Sequence, residues 1–261
     1  MKQRLDIEIA ERRLVASRSQ AESYIRLGIV LVNGRVAVKS GQIVSGQDKI
    51  EVKIDTQYVS RAALKLKSAD QAFAVDWKDK TVLDVGSSTG GFTQYALQHG
   101  ARCVVAVDVG SDQLHPSLRN DPRIELHEKT DIRNVRIKTI GPNAVTSNVC
   151  SIDHRIDIVV ADVSFISLRD ILPHVSTLMS KDSILIAMVK PQFEAGNSHL
   201  KHKGVIKNDK VRREILKEFE VWAQRSFKLL DKTDSAVAGS KGNLERFYLL
   251  RKLPGTKAAS R

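Results

Sequence analysis

One short segment constrains the fold of this chain more than any other: VLDVGSSTGGFTQYALQHG, residues 82–100. It begins with an apolar run typical of a buried strand, passes through a glycine-rich turn and ends in residues with helical spacing. A strand that leads through such a turn into a helix is the opening unit of sheets with helices on both faces. The segment therefore predicts a doubly wound α/β domain, Rossmann-like in class, whose turn holds a cofactor.

Further strands follow at the spacing that this architecture requires. Apolar runs alternate with helical or looped segments, and we expect them to form a mostly parallel sheet. The expected strands are TVLDVG, CVVAVD, RIELHE, DIVVAD and SILIAMVK. Near the end of the chain, SFKLLDKTDSAV and LERFYLLRK predict an antiparallel pair at the sheet edge, and SRAALKLKSADQAF predicts an amphipathic helix before the first strand.

The beginning of the chain predicts a separate, small α+β domain. RLDIEIAERRLV and SRSQAESYIRLG have the apolar spacing of helices, with Ser19 and Glu22 at capping-box spacing and Gly28 as a stop signal. IVLVNGRVAV alternates around Asn33 and Gly34, a strong hairpin signal, and GQIVSGQDKIEV adds one short strand. The predicted division is a helix–helix–hairpin domain, a linker and the α/β domain, over residues 1–55, 56–60 and 61–261.

The formal net charge of +12 is unevenly distributed. Lys and Arg outnumber Asp and Glu by 10 to 7 in residues 1–60 and by 17 to 8 in residues 190–261, whereas residues 61–189 hold 15 of each. Basic ends around a neutral centre favour a polyanionic partner, the alternative being a generally basic soluble protein. The apolar runs are too short to span a bilayer, no secretory segment is visible, and two cysteines suggest neither disulfides nor a metal site. We expect a cytoplasmic protein without membrane contact or metal.

Residues around the glycine turn exclude two common cofactor classes. A phosphate-binding Walker loop needs a Lys and then Ser or Thr after its last glycine, but Gly91 is followed by Phe92. The dinucleotide pattern G-x-G-x-x-G fails at Ser88. Asp84, two residues before the first glycine, would repel a pyrophosphate, so it favours a cofactor with positive charge. S-adenosylmethionine, with an ammonium, a sulfonium and no phosphate, fits; the alternative for Asp84 is a charge that complements the helix dipole.

Candidate cofactor-binding residues lie in and after this turn. Asp108 ends the next strand, where an acidic side chain can bind ribose hydroxyls. Asp131, in EKTDIRN, is where related folds meet the adenine amino group, and a loop cap is the alternative. Asp84 would lie near the methionine end of the donor. The turn would let the donor approach the backbone at Gly86, Ser88, Gly90 and Gly91.

Five segments, in order, resemble the TlyA (hemolysin A-like) family: VLDVGSSTGGFTQYALQHGA, AVDVGSDQLHPSLRNDPRI, DIVVADVSFISL, MVKPQFEAG and GNLERFYLLRK. The similarity extends over nearly the whole chain. It implies an S-adenosylmethionine-dependent ribosomal RNA 2′-O-methyltransferase, with cytidine as the expected target. It also implies an S-four-like RNA-binding domain at the N-terminus, an FtsJ-type catalytic domain, and ribosomal RNA or ribosomal subunits as partner.

The resemblance places the Lys-Asp-Lys-Glu tetrad of FtsJ-type enzymes at Lys65, Asp162, Lys190 and Glu245. Asp162 and Lys190 each end an apolar strand with a charge, at the sheet edge where doubly wound folds build their sites. By pattern alone, Lys65 is an ordinary solvent-facing lysine and Glu245 a partner for a neighbouring base. We assign Lys190 as the residue that acts on the proton of the attacking hydroxyl, either by accepting it as a general base or by positioning and polarising the hydroxyl.

Basic residues at both ends of the chain are candidates for RNA phosphate contacts, and for any one of them a solvated charged face is the alternative. In the N-terminal domain the resemblance implies Arg13, Arg18, Arg26, Arg35 and Lys39. In KHKGVIKNDKVRR, the proposed RNA clamp consists of Lys201, Lys203, Lys207, Lys210, Arg212 and Arg213.

Three other functions compete with this interpretation. An RNA-binding or ribosome-assembly factor without turnover is disfavoured because all four tetrad residues are retained. A membrane-active hemolysin is disfavoured because no long amphipathic or apolar segment is present. A pseudouridine synthase, another enzyme type with S-four-like domains, would not need the DVGSSTGG turn.

Overall fold

The computed structural model describes residues 2–15, 18–26, 29–52, 58–138, 150–195, 205–206, 208–239 and 242–254. The N-terminal part contains, in order, β1 (Lys2–Arg4), α1 (Leu5–Glu11), α2 (Arg18–Arg26), β2 (Val30–Val32), β3 (Arg35–Val36), β4 (Ile43–Ser45) and β5 (Ile50–Val52). β1 pairs antiparallel with β4, and a separate three-stranded sheet has the order β3-β2-β5. The two expected helices and the hairpin are therefore present.

The hairpin turn has the backbone that its sequence predicts. Asn33 and Gly34 have positive φ angles of 51° and 78°, which a tight two-residue turn requires. The helices and strands enclose a small core that includes Leu5, Ile9 and Ile25. Two details differ from expectation: β1 is a strand of polar residues, and the segment expected to supply one strand supplies both β4 and β5. Each of these short strands depends on a partner elsewhere in the chain, which local pattern does not reveal.

The second part begins with α3 (Arg61–Phe73), β6 (Thr81–Val85), α4 (Gly91–Gln98), β7 (Cys103–Val107), α5 (Pro116–Arg119), β8 (Ile124–His127), a 3₁₀ turn (Ile132–Asn134) and β9 (Val135–Ile137). It continues with β10 (Cys150–Ile152), β11 (Ile156–Ala161), α6 (Leu168–Leu178), β12 (Met179–Val189), α7 (Pro191–Glu194), α8 (Asp209–Ala223), β13 (Phe227–Asp234) and β14 (Arg246–Lys252). β9 and β10 form a small parallel pair that the sequence pattern did not indicate.

Seven strands form the central sheet, in the order β13-β14-β12-β11-β6-β7-β8. The strands from β12 to β8 in this order are parallel, and β14 is antiparallel to both of its neighbours, as the sequence predicts for the edge. Successive residues of one strand pack into different cores: Leu83 belongs to one buried cluster and Val82 to the other. Both faces are therefore covered, which confirms the doubly wound class. Within the described residues, no helix is long and apolar enough to cross a membrane.

The strand register brings the candidate residues to one edge of the sheet. Val85 at the end of β6 pairs with Ala161 at the end of β11, so the glycine turn and Asp162 are neighbours. Val189 at the end of β12 pairs with Arg246 at the start of β14. Because these strands are antiparallel, Lys190 and Glu245 leave the sheet side by side.

Candidate active site

A cavity of about 380 Å³ lies at the carboxyl ends of β6, β7 and β11, and we call it the donor-side cavity. Its size is within the usual range for small-molecule sites. Apolar side chains form much of its wall, together with three carboxylates, those of Asp108, Asp131 and Asp162. Among the described residues that line it, none is Lys, Arg or His. The cavity therefore suits a positively charged ligand and disfavours a phosphate group.

Gly86 is required where the turn leaves β6. Its φ is +84°, and a Cβ at this position would lie 2.7 Å from the backbone oxygen of Asp162, closer than real contacts allow. The backbone N–H of Asp162 in turn donates to the carbonyl of Val85 at 3.0 Å. The glycine thus lets the ends of β6 and β11 touch, and both Gly86 and Ser88 line the donor-side cavity as expected.

Gly90 and Gly91 serve packing within the domain rather than lining the donor-side cavity. A Cβ at Gly90, which has φ +89°, would lie 2.6 Å from the side chains of Leu114 and Leu118. A Cβ at Gly91 would lie 2.3 Å from the hydroxyl of Ser60. The expectation that the donor approaches the backbone at Gly90 and Gly91 stays a prediction. These positions let α4 approach α3 and the segment around α5.

Asp84 lies beneath the turn, is 1% exposed, and lines no part of the donor-side cavity. Its Oδ2 accepts a hydrogen bond of 2.6 Å from the hydroxyl of Thr93, while Oδ1 is buried and has no hydrogen-bond partner among the described residues. Burial raises the pKa of Asp84 to about 7; the carboxylates of Asp162 and Asp108 add to this rise, and Thr93 opposes it. The charged form of Asp84 is therefore poorly stabilised by the protein alone.

Asp108 and Asp131 are oriented by backbone amides at the edge of the donor-side cavity. Asp108 accepts hydrogen bonds from Ser88 N–H at 2.8 Å and from Gly110 N–H at 2.7 Å. Asp131 accepts from the backbone N–H and the guanidinium of Arg133, and this guanidinium holds the pKa of Asp131 below its ordinary value. Asp131 thus caps the 3₁₀ turn and lines the cavity at the same time. Its position allows both predicted roles, a contact to the adenine amino group and a loop cap.

A second cavity, of about 540 Å³, adjoins the first and is called the acceptor-side cavity here. Ser164 and Phe165, in the loop after β11, line both cavities. Its other polar lining residues come from α3, from the loops that follow β6 and β12, and from the segment before β14. They are Ser60, Arg61, Lys65, Thr89, Lys190, Gln192, Asn243 and Glu245.

The four tetrad candidates form two ion pairs at this place. Lys190 Nζ lies 2.6 Å from Asp162 Oδ1, off the direction of a hydrogen bond. Lys65 Nζ lies 2.6 Å from Glu245 Oε2, to which it donates a hydrogen bond. The side chains are 15% exposed or less, so breaking either pair would leave a poorly solvated charge. Three of the four line the acceptor-side cavity and Asp162 lines the donor-side cavity, which puts Lys190 and its partner at the junction.

Sequence reasoning missed two residues of this junction. Ser164 accepts a hydrogen bond of 2.7 Å from Lys190 Nζ. Phe165 is 92% exposed, has a φ of +67° and lies with its ring centroid 5.5 Å from that of Phe193. Both belong to the motif ADVSFISL, from which only Asp162 was singled out. An aromatic residue three positions after a charged strand end was the available signal.

Two family models match the chain: FtsJ-like methyltransferase over residues 58–252 and S4 domain over residues 3–50. The chain belongs to the FtsJ-like methyltransferase family. Its relatives include the 16S/23S rRNA (cytidine-2′-O)-methyltransferase TlyA of Mycobacterium tuberculosis, 39% identical over 95% of this chain and 89% of the relative. Hemolysin A of Brachyspira hyodysenteriae is 35% identical over 93% of this chain and 97% of the relative. This FtsJ-like methyltransferase is thus also a member of the TlyA family.

A solved structure from Streptococcus thermophilus, provisionally named a hemolysin, covers 99% of this methyltransferase and 91% of its own chain. The sequence identity is 30% and the TM-score is 0.69. The fold is therefore shared over nearly the whole of both chains.

One of the proposed clamp residues of this methyltransferase is not available to RNA. Arg212 is 7% exposed; its Nε donates to the carbonyl of Leu244, and its guanidinium pairs with Asp234. The prediction for Arg212 is wrong because helical spacing turns this residue towards the core, on the same side as Ile215 and Phe219. Lys210 and Arg213 are exposed. The remaining members, Lys201, Lys203 and Lys207, lie outside the described residues.

The N-terminal candidates differ among themselves in the same way. Arg13, Arg35 and Lys39 are exposed. Arg18 is exposed too, but its Nε donates to Asp6 at 2.7 Å. Although burial acts to raise it, hydrogen bonds from Arg4 and Arg18 hold the pKa of Asp6 at about 2. The ion pair with Asp6 thus partly neutralises the charge that Arg18 could present to RNA. The side chain of Arg26 lies outside the described residues.

Proposed function

We propose that this protein transfers the methyl group of S-adenosylmethionine to a ribose 2′-hydroxyl of ribosomal RNA, with cytidine as the target nucleotide. The observation that carries the proposal is the place of Lys190. Its ammonium belongs to the acceptor-side cavity, while its partner Asp162 belongs to the adjoining donor-side cavity. A group that handles the proton of an attacking hydroxyl has to lie at such a junction.

The donor-side cavity suits S-adenosylmethionine by its charge and by its volume of about 380 Å³. Three carboxylates and no basic side chain line it among the described residues, as a cation requires. Asp108 would bind the ribose hydroxyls, Asp131 the adenine amino group, and the turn at Gly86 and Ser88 the methionine part. Asp84 would act from beneath the turn, since a nearby ammonium stabilises a buried carboxylate. When bound, S-adenosylmethionine supplies an electrophilic methyl group on its sulfonium.

Lys190 is the proposed general base. Ser164 and Asp162 hold its Nζ on two sides, so that it points at a fixed place on the cavity wall. In its neutral amine form this nitrogen can accept a proton. A ribose hydroxyl hydrogen-bonded to it would then transfer its proton there as the oxygen attacks the methyl carbon and the sulfonium leaves as a neutral thioether. Such assistance contributes about 10²–10⁴-fold to a rate, and the remainder comes from alignment of the reacting atoms within about 3–3.5 Å.

Lys65 and Glu245 complete the acceptor-side wall as a positioning pair. Glu245 is 2% exposed and holds Lys65 Nζ at 2.6 Å, so that the pair presents one fixed ammonium to the cavity. Arg61 and the exposed ring of Phe165 lie on the same wall, where they would meet a phosphate and a base. A nucleotide drawn out of its RNA fold satisfies both contacts.

Ribosomal RNA is the proposed substrate on two grounds. Relatives named as rRNA (cytidine-2′-O)-methyltransferases match this chain over 91% of its length or more. Exposed basic residues also lie in both parts of the protein, including Arg13, Arg35 and Lys39 near the N-terminus. We propose that residues 1–55 supply RNA affinity without taking part in the chemistry.

The decisive experiment offers the purified protein methyl-labelled S-adenosylmethionine together with intact or deproteinised small and large ribosomal subunits. We expect label in RNA, on the 2′-oxygen of a cytidine, located by nuclease mapping and mass spectrometry of the modified nucleoside. Lys190→Ala is the control for protein-dependent transfer. Label on a base, or no transfer to any of the four substrates, would contradict the proposal.

A further inference from the structure

Glu194 is a buried carboxylate that the proposed chemistry does not use. It ends α7, four residues after Lys190, and is 6% exposed. Its backbone N–H donates to the carbonyl of Lys190 at 3.3 Å, and the N–H of Phe193 donates to the same carbonyl at 2.9 Å. The backbone that carries Glu194 is therefore hydrogen-bonded directly to that of the candidate base.

The side chain of Glu194 extends to the beginning of α6. Oε1 accepts a hydrogen bond of 2.7 Å from the backbone N–H of Leu168, and Oε2 accepts one of 2.7 Å from the hydroxyl of Ser167. Arg169 Nε lies 3.4 Å from Oε2. The first amides of a helix lack partners within the helix, and its dipole favours a negative charge at this end. Glu194 thus caps a helix that begins 26 residues earlier in the chain.

Residues 162–167 run between the end of β11 and the beginning of α6, and we call them the acceptor loop. This loop carries Asp162 and Ser164, which both contact Lys190 Nζ. It also carries Phe165 with its φ of +67°, a conformation that persists only where the surroundings enforce it. The paired strand β11 fixes one end of the loop, and the carboxylate of Glu194 fixes the other.

We propose that Glu194 is a positioning residue that ties the acceptor loop to the Lys190 segment and so keeps Lys190 Nζ between Asp162 and Ser164. The inference rests on the proposed function for its kinetic consequences. Without the tie, Asp108, Asp131 and the turn at Gly86 and Ser88 keep their places in the donor-side cavity, because none of them belongs to the acceptor loop. The loop lines this cavity only with residues 162–166, whereas Lys190 loses both of its fixed partners. The loss should therefore appear mainly in the rate of methyl transfer and only weakly in donor affinity.

Single-turnover methylation of one rRNA substrate at saturating donor tests this assignment. Glu194→Ala should be slower by about 10–100-fold, because a displacement of about 1 Å at a catalytic group has an effect of this size. Calorimetry should give a donor Kd within about threefold of wild type, a difference below 1 kcal/mol. Glu194→Gln should recover most of the rate, because its amide oxygen can accept from Leu168 and its nitrogen can donate to Ser167.

Asp70→Ala is the matched control. Asp70 is also a carboxylate that accepts two hydrogen bonds, from the Tyr95 hydroxyl at 2.7 Å and from Val75 N–H at 3.0 Å, and it lines neither cavity. Its variant should lower the unfolding temperature and leave the transfer rate unchanged. If Asp70→Ala slowed transfer as much as Glu194→Ala, or if Glu194→Ala lost donor affinity as strongly as rate, Glu194 would be a structural residue only.

Amide hydrogen exchange of the donor-free protein tests the tie without any methyl transfer. Glu194→Ala should speed exchange in peptides that cover residues 162–168, whereas Asp70→Ala should not. Unchanged exchange in the Glu194→Ala variant would overturn this inference and leave the proposed function intact. A wild-type protein that does not methylate RNA, with exchange altered as expected, would overturn the proposed function and leave the tie in place.

Discussion

The donor-side and acceptor-side cavities adjoin each other but are built differently. The donor-side cavity is formed largely by the ends of neighbouring parallel strands and the loops directly after them. The acceptor-side cavity takes its charged groups from segments that are far apart in sequence: Lys65 and Glu245, which form one ion pair, are 180 residues apart. We therefore expect donor binding to depend on the sheet edge and acceptor binding to depend on long-range ion pairs. Substitutions should therefore affect one side at a time.

Lys190 should give the largest effect and the clearest separation of the two sides. Lys190→Ala should slow single-turnover transfer by about 10²–10⁴-fold, with donor Kd nearly unchanged because Lys190 does not line the donor-side cavity. Lys190→Arg should be similarly slow, since a guanidinium cannot accept a proton near neutral pH. Lys181→Ala, at an exposed lysine of the same strand, is the control.

Two outcomes would break this part of the comparison. Activity of the Arg variant within about tenfold of wild type, a barrier difference of about 1.4 kcal/mol, would make Lys190 a positioning group instead of a base. Unchanged activity of the Ala variant would contradict the placement of the whole tetrad.

Asp84, beneath the donor-side cavity, should make the free energy of unfolding depend on pH. Its pKa is about 7 in the folded protein and about 4 in an unfolded chain, so the folded protein holds a proton that the unfolded chain has released. The stability contributed by this group is complete below about pH 4 and is lost as the pH rises through about 7. Asp84→Asn carries no charge at any pH. Its free energy of unfolding should therefore match wild type near pH 4 and exceed it by up to about 4 kcal/mol at pH 8.

Urea unfolding of both proteins across this pH range measures the difference. Asp157→Asn, which alters a carboxylate that accepts from the backbone N–H of Thr81 at the other end of β6, is the comparison variant. A difference between Asp84→Asn and wild type that stays constant with pH would show that Asp84 is not the titrating group.

Asp108 should give an intermediate effect confined to the donor side. Asp108→Ala should weaken donor binding by about 10–100-fold, because hydrogen bonds to a charged group are worth about 1.5–3 kcal/mol. At saturating donor, the transfer rate should return towards that of wild type. Asp108→Asn keeps one acceptor oxygen and should lose less. Calorimetry that finds the same affinity in Asp108→Ala as in wild type would remove Asp108 from the site.

The smallest effects should lie outside both cavities, at two adjacent arginines of α8. Arg213→Ala should lower rRNA affinity a few-fold and reduce the slope of log affinity against log salt by about 1, with stability unchanged. Arg212→Ala should do the reverse. It leaves the carbonyl of Leu244 without its donor and removes one of the two arginines that pair with Asp234, so stability should fall by about 1–3 kcal/mol while the salt slope stays the same. Filter binding and thermal unfolding distinguish the two. Equal salt slopes for Arg213→Ala and wild type would exclude Arg213 from the RNA clamp.

The same contrast explains how much could be predicted from the sequence. The strands that lead to Asp84 and Asp162 are contiguous apolar runs, so their existence, order and parallel packing could be inferred locally. Lys65 and Glu245 have ordinary neighbours in the sequence, and only the family resemblance relates them. Their contact joins α3 to the segment before β14, which no local pattern indicates. The role of these residues stays a prediction. Arg212 was misassigned because a run of basic residues on a helix does not indicate which members face inward.

Contacts between distant segments account for the other omissions. No sequence pattern distinguishes Ser164. Only the structure shows that its hydroxyl lies 2.7 Å from Lys190 Nζ. Glu194 contacts the N-terminus of α6 from the end of α7, so no capping pattern within α6 could indicate it. A glycine-rich turn suggests a ligand, and the sequence does not show that a Cβ at Gly90 or Gly91 would also collide with the segment around α5 or with the beginning of α3.

The position of β14 has a consequence for the order in which the parts of the protein fold during synthesis. This strand is the last in sequence but lies inside the sheet, paired with β12 on one side and β13 on the other. Synthesis delivers a chain from its N-terminus, and contacts between distant segments form late in folding. β6, β7 and β11 can therefore assemble while Glu245 is still within the ribosome. The donor side of the sheet matures first, and a nascent chain stays without its complete set of ion pairs until β14 has emerged and inserted.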